Sequence, residues 1–263
     1  MSAKKLLVCG GTGFLGRQIC ETAAAHGWRV TSLSRSRPAN LSANVNFETL
    51  DLLNASQEQL QHYLQSADAV VYTLGILLES KYYKPFLASR NPIQGVKAVL
   101  DKFNRNPLKE PIEDDITYSS LNRDLAIRIA REAAAADTAK TFLYVSSAGN
   151  IPLIPHAYFD TKRQAEDAIS NIKSLRSVFL RPGFMYDPSR QSSMYIKLGL
   201  DAVNAVNTAL GGHAPVISAK ALNPVSVSVV AGAAVRALAD DNIQGVIDGP
   251  DLIRLAKEAS NHA

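Results

Sequence analysis

The chain has 263 residues, 46% hydrophobic and 20% charged, which suits one large α/β domain or two small ones and excludes a disordered or fibrous protein. No apolar run reaches the eighteen or so residues a membrane span needs; the nearest, 224–238, is interrupted by Ser226, Ser228 and Arg236. The formal charge of +4 is modest, and two cysteines with five scattered histidines make neither a disulfide framework nor a metal site, so no metal is expected.

Cys9 and Cys20 read as small core residues, and a reducing compartment is the simplest setting for them. "MSAKK" runs straight into an apolar strand, "KLLVCG", with no secretory signal and no room for an Arg-rich transit peptide. An unusual import signal, a missing presequence and a cytoplasmic location all stay open at this point.

After that first strand comes "GGTGFLG". Gly11, Gly13 and Gly16 fit G-x-G-x-x-G, and Gly10, Gly13 and Gly16 fit G-x-x-G-x-x-G. Thr12, Phe14 and Leu15 fill the turn between them and open the helix "GRQICETAAAHG". Glycines at a strand-to-helix turn let the backbone approach a pyrophosphate, and the helix N-terminus offers N–H groups and partial positive charge. A dinucleotide is the expected ligand.

The second strand, "WRVTSLSR", ends in Ser34, Arg35, Ser36 and Arg37, with no acid before Glu48. A carboxylate there would select the free ribose hydroxyls of NAD, whereas guanidinium groups and hydroxyls suit a 2′-phosphate. NADP(H) is the expected cofactor. Asp51 and Leu52 follow the third strand, where an adenine edge would lie. The helix "SQEQLQHYLQSA" and the buried strand "DAVVYTLG" come next, and Leu74 and Gly75 pass close to ribose and nicotinamide.

Residues 79–116 form a basic insertion: Lys81, Lys84, Arg90, Lys97, Lys102, Arg105 and Lys109 stand against Asp101 alone between 81 and 109. It reads either as a solvated surface or as a face for an anionic membrane or an acidic partner. Nucleic acid is not expected, because no recognition motif accompanies the charge. A long helix is predicted over 117–137, with Leu121, Leu125, Ile129 and Ala133 on one stripe. Asn122 on it reads as a surface polar residue.

The strand "TFLYVSSA" then carries Ser146 and Ser147, the helix "AYFDTKRQAEDAISN" carries Tyr158 and Lys162 on one face, and "SVFLRPGFMY" is predicted as a single strand. The alternation predicts an α/β fold: a doubly wound parallel sheet of the Rossmann type over 1–187, with 188–263 as a small C-terminal substrate-side subdomain that completes it. A helix is expected at 224–238 and a last strand at 245–249.

Tyr158, Thr161, Lys162 and Glu166 fit Y-x-x-[ST]-K-x-x-x-E, and "RPG" (181–183) follows the sixth strand. Both resemble the extended branch of the short-chain dehydrogenase/reductase superfamily over nearly the whole chain. That resemblance implies catalytic roles for Tyr158, Lys162 and a serine at 146 or 147, and offers Asn122 a place in a proton relay as the alternative to its surface reading. Lys162 would also hold the nicotinamide ribose, and Arg181, Pro182 and Gly183 would border the cofactor. A free tyrosine titrates near 10, so a neighbouring ammonium is what would adapt the phenol to neutral pH.

The segments 74–84, 106–109, 117–122, 152–166 and 181–190 resemble the fungal atypical members that serve coenzyme Q biosynthesis, relatives of the NADPH-binding accessory subunit of respiratory complex I. This implies a mitochondrial protein on the matrix side of the inner membrane, associated with other coenzyme Q biosynthetic subunits. Two features depart from ordinary extended enzymes: a tight connection between Ser147 and Tyr158, and a short C-terminal part. "GNIPLIP" and "GFMY" supply apolar walls compatible with a quinone-precursor lipid. An oxidoreductase and a non-catalytic assembly subunit both remain open.

Overall fold

The computed structural model describes residues 3–37, 42–76, 117–149, 155–188 and 224–260. The basic insertion, the apolar stretch 150–154 and the segment 189–223 lie outside the described residues.

The main sheet begins with β1 (Lys5–Cys9), β2 (Arg29–Ser34), β3 (Val45–Thr49) and β4 (Ala69–Tyr72), and continues with β5 (Thr141–Val145), β6 (Arg176–Leu180) and β9 (Gly245–Ile247). All pairings are parallel, in the order β3-β2-β1-β4-β5-β6-β9. Strands buried on both faces need no alternation, and "LLVC" in β1, "AVVY" in β4 and "TFLYV" in β5 are buried throughout. The order reverses between β1 and β4. Loops leaving adjacent strands diverge there and open a crevice at the C-terminal edge.

Helices cover both faces. On one lie α1 (Phe14–Ala25), α5 (Val227–Ala239) and α6 (Gly249–Ser260); on the other lie α2 (Gln57–Leu64), α3 (Leu125–Ala136) and α4 (His156–Ser170). In α1 the buried residues Leu15, Ile19, Cys20 and Ala23 recur at helical spacing, and burying Ile19 fully contributes about 1.5–3 kcal/mol. Small residues at Gly232 and Ala256 let α5 and α6 approach closely.

Three sequence expectations are corrected in detail. The run "SVFLRPGFMY" is not one strand: β6 stops at Leu180, and β7 (Met185–Tyr186) pairs in a separate two-stranded sheet with β8 (Val225–Ser226). Pro182 lacks the N–H a ladder needs, and its carbonyl accepts instead from Ala148 N at 2.7 Å. Val225 and Ser226 are accordingly in a strand before Ser226 caps α5 by accepting from Val229 N.

The helix predicted over 117–137 opens with a π-helical turn, Tyr118–Asp124, before α3. Wider winding leaves carbonyls for other donors. Tyr72 Oη donates to Leu121 O at 2.6 Å and Tyr144 Oη to Asn122 O at 2.5 Å. The two tyrosines are register partners on β4 and β5, with ring centroids 5.8 Å apart. Burial pushes both phenols well above their ordinary range, which keeps them protonated as donors.

Candidate functional site

The glycine turn follows β1 directly. Gly10 has φ +92, in the region that favours glycine, and its carbonyl accepts from Gly13 N at 2.9 Å. Gly13 is the N-cap of α1 and supplies no capping side chain. At Gly16 an added Cβ would overlap the Gly10 carbonyl and stand 2.8 Å from Thr73 Oγ1. Gly11 is also crowded, by Ser32, so both glycine patterns are satisfied together. Thr12 N donates to Ser34 Oγ at 3.2 Å and ties the turn to the end of β2.

Beyond Ser34, the residues Arg35, Ser36 and Arg37 are exposed at the same edge. Asp51 spends its carboxylate locally, accepting from Leu53 N at 3.3 Å and Asn54 Nδ2 at 2.7 Å, while Leu52 is buried. Thr73 N and Thr73 Oγ1 both donate to Cys9 O, drawing the end of β4 against the glycine turn. Leu74 and Gly75 then lead toward α4.

Lys162 is nearly fully buried, and its Nζ donates to Val145 O at 2.7 Å. The Nζ lies 4.9 Å from the Tyr144 ring centroid and 5.8 Å from that of Tyr158. Burial pulls its pKa down to about 7; the Glu166 carboxylate works against that shift and the Arg163 guanidinium adds to it. Tyr158, half-buried, sits edge-on to Tyr118 at 5.9 Å and Phe159 at 5.1 Å.

The β4 loop meets this pair. A Cβ on Gly75 would lie 3.1 Å from Asn122 Oδ1 and 3.3 Å from Lys162 Nζ. Asn122 is completely buried, so the surface reading of that residue is corrected. Its Oδ1 accepts from Ile76 N at 3.0 Å and its Nδ2 donates to Ile76 O at 3.3 Å. The glycine turn, the β4 end and Lys162 therefore form one continuous line along the sheet edge.

Ser146 and Ser147 leave β5 at that edge and are both buried. Ser146 Oγ accepts from Arg163 at 2.8 Å, and Ser147 Oγ has no hydrogen-bond partner among the described residues. Arg181 places its guanidinium on Glu166, and Pro182 and Gly183 continue beside Ala148. No cluster of three or more His, Cys, Asp or Glu that could hold a metal occurs among the described residues.

Sequence reasoning missed Tyr118, Tyr144 and Arg163. Tyr118 and Tyr144 carry no motif, though Tyr72 and Tyr144 at matching ends of neighbouring strands were a usable sign for the latter. Arg163 lies inside the Tyr–Lys segment, next to Lys162, but is not one of the positions its motif specifies.

A parallel sheet with a glycine cradle at its reversal point is the architecture of a dinucleotide-binding protein of the Rossmann type, and Tyr158 and Lys162 stand at the same sheet edge. The chain belongs to the NAD(P)H-binding family, whose model matches residues 10–241. It is 34% identical over 212 residues to MIOREX complex component 2 of Saccharomyces cerevisiae, covering 72% of this chain and 75% of that one.

Among solved structures, a putative NAD-dependent epimerase/dehydratase from Bacillus halodurans superposes with TM-score 0.61 at 15% identity, covering 97% of this chain and all of that one. A UDP-glucuronic acid 4-epimerase from Bacillus cereus, in complex with NAD, superposes with TM-score 0.57 at 18% identity, covering 92% and 76% of the two chains. At these identities the likeness carries the fold.

Proposed function

We propose that the protein is an NADPH-dependent oxidoreductase acting on or near a quinone precursor of ubiquinone biosynthesis, within a mitochondrial enzyme complex on the matrix side of the inner membrane. The observation that carries the chemical part is the buried Lys162, hydrogen-bonded to Val145 and set between the Tyr144 and Tyr158 rings where the β4 loop arrives. The biological part rests on the sequence resemblance. Its complex membership is supported by the yeast relative, which is named as a complex component.

The residues present fit a dinucleotide: Gly10, Gly13 and Gly16 bring backbone without side chains to the turn, and a side chain at Gly16 would strike the Gly10 carbonyl and force the turn open. The turn and the α1 N-terminus would hold the pyrophosphate, Ser34, Arg35, Ser36 and Arg37 a 2′-phosphate, Asp51 and Leu52 the adenine side, and Leu74, Gly75 and Lys162 the nicotinamide side. Bound there, a nicotinamide supplies hydride.

Within this reading Tyr158 gives the proton that accompanies reduction of a substrate carbonyl, and Ser146 with Ser147 holds the oxygen. Lys162, whose pKa burial lowers to about 7, is partly protonated at neutral pH and in that form would donate to the ribose and favour the phenolate. In this reading the Phe184–Tyr186 segment provides an apolar wall, and the basic sequence between 81 and 109 suits an anionic membrane surface or a partner.

A second reading, a non-catalytic NADPH-binding assembly subunit, is favoured by the description of the yeast relative as a complex component. Bound nucleotide stabilises a folded state whatever the chemistry. Tyr158→Phe separates the two readings. In the enzyme it retains NADPH affinity and melting temperature but loses NADPH oxidation with a short-chain benzoquinone by about 100-fold or more. Unchanged oxidation, or full complementation of ubiquinone synthesis in cells, supports the scaffold.

A further inference from the structure

Tyr144 stands on β5 one residue before the carbonyl that accepts from Lys162, and it is completely buried on the face that α3 and α4 cover. Its ring is held twice. The hydroxyl donates to Asn122 O in the π-helical turn at 2.5 Å, and the ring stacks on Tyr72 with 23° between the planes. Tyr72 is itself tied to that turn through Leu121 O. A ring fixed in this way has little freedom to tilt.

Lys162 Nζ lies over the Tyr144 ring, 4.9 Å from its centroid. An aromatic face carries partial negative charge and attracts a cation within about 6 Å, more strongly where water is excluded. Burial has removed that water here, and Val145 O takes only one of the three ammonium protons. Among the described residues, α4 brings Glu166, which favours the charged lysine, and Arg163, which opposes it, together with the Tyr158 ring at 5.8 Å. The β4 loop and the π-helical turn bring Gly75 and Asn122, which do not titrate. Burial keeps the Tyr144 phenol protonated, so it meets the lysine as a neutral ring.

We propose that Tyr144 is a positioning residue for Lys162: anchored on the π-helical turn, its ring face holds the lysine head at the cofactor edge and favours the ammonium over the neutral amine. The proposal rests on the oxidoreductase reading, in which that ammonium serves the ribose and the phenol. Tyr144 acts only through Lys162, and its ring rather than its hydroxyl supplies the attraction.

The test is a pH titration of the nucleotide-free full chain, followed by carbon-13 NMR of its labelled lysines. The Lys162 signal is the one that Lys162→Met removes. Tyr144→Phe keeps the ring face, and its Lys162 midpoint is expected within about 0.3 pH units of the wild type. Phenylalanines bearing one, three and five ring fluorines at the same position drain and then reverse the charge of that face with little change of shape. Against Tyr144→Phe, the midpoint is expected to fall stepwise, by about 0.5–1.5 pH units at full fluorination. The lightly fluorinated proteins give the slope even where the last member folds poorly. A tyrosine that merely fills the core would alter melting temperature and leave the midpoint in place. A midpoint independent of fluorine number, or one that Tyr144→Phe alone lowers as far as full fluorination does, overturns the proposal. The readout needs neither nucleotide nor substrate, so the proposal and the oxidoreductase reading fail separately.

Discussion

Lys162→Met in the nucleotide-free protein gives a test whose size and sign both follow from the structure. Methionine keeps much of the side-chain volume and removes the ammonium from a buried position. The fall of the lysine pKa from 10.5 to about 7 corresponds to about 5 kcal/mol of lost stability once the lysine is protonated in both states. The folded value lies below the unfolded one, so the unfolded chain holds the proton more tightly between pH 7 and 10.5. Stability therefore rises with pH across that window, and the full penalty persists below it.

At pH 9 about 2 kcal/mol of the penalty is left. Losing the bond to Val145 O costs about 1 kcal/mol at either pH. Urea denaturation is then expected to find Lys162→Met more stable than the wild type by about 4 kcal/mol at pH 6 and about 1 kcal/mol at pH 9. A variant that is no more stable, or a difference that does not shrink with rising pH, would refute the buried-ammonium account of this site.

Gly16→Ala places a methyl group against the Gly10 carbonyl and Thr73 Oγ1. Since that neighbour is backbone, a cost of about 2–4 kcal/mol and loss of NADPH binding are expected, read by denaturation and titration. Replacing Arg35 and Arg37 together with alanine should raise the NADPH dissociation constant by about 10- to 100-fold and move that for NADH by under about twofold. Equal effects on the two nucleotides would remove the 2′-phosphate assignment.

Much of the fold was legible because it rests on patterns local in sequence. The apolar runs of β1, β4 and β5, the 15–19–23 spacing of α1 and the glycines at 10, 11, 13 and 16 each state their structural role within a dozen residues. The Tyr158–Lys162 spacing was legible for the same reason. What escaped was non-local. The π-helical turn exists because Tyr72 and Tyr144, from two strands, take its carbonyls. No window around 118–124 contains that cause.

Burial was the other missing quantity. Asn122 looked equally suited to a surface or a relay until its two bonds to Ile76 and its full burial were seen. Arg163 and Glu166 form one ion pair at i, i+3 spacing, common on exposed helices. The buried carboxylate shared with Arg181 and the grip on Ser146 give it another meaning. The end of β6 was misplaced because "FLRPGFMY" is apolar on both sides of a proline, and composition alone does not show where the ladder stops.

The central claim is that the edge formed by the glycine turn, the β2 end and Lys162 binds NADP(H). Calorimetric titration of the wild-type protein with NADPH and, separately, with NADH tests it most directly. NADPH is expected to bind with a dissociation constant at least about tenfold lower than that of NADH, the difference arising from the 2′-phosphate. Equal affinities would contradict the NADP(H) assignment, and heat from neither nucleotide would contradict the site itself.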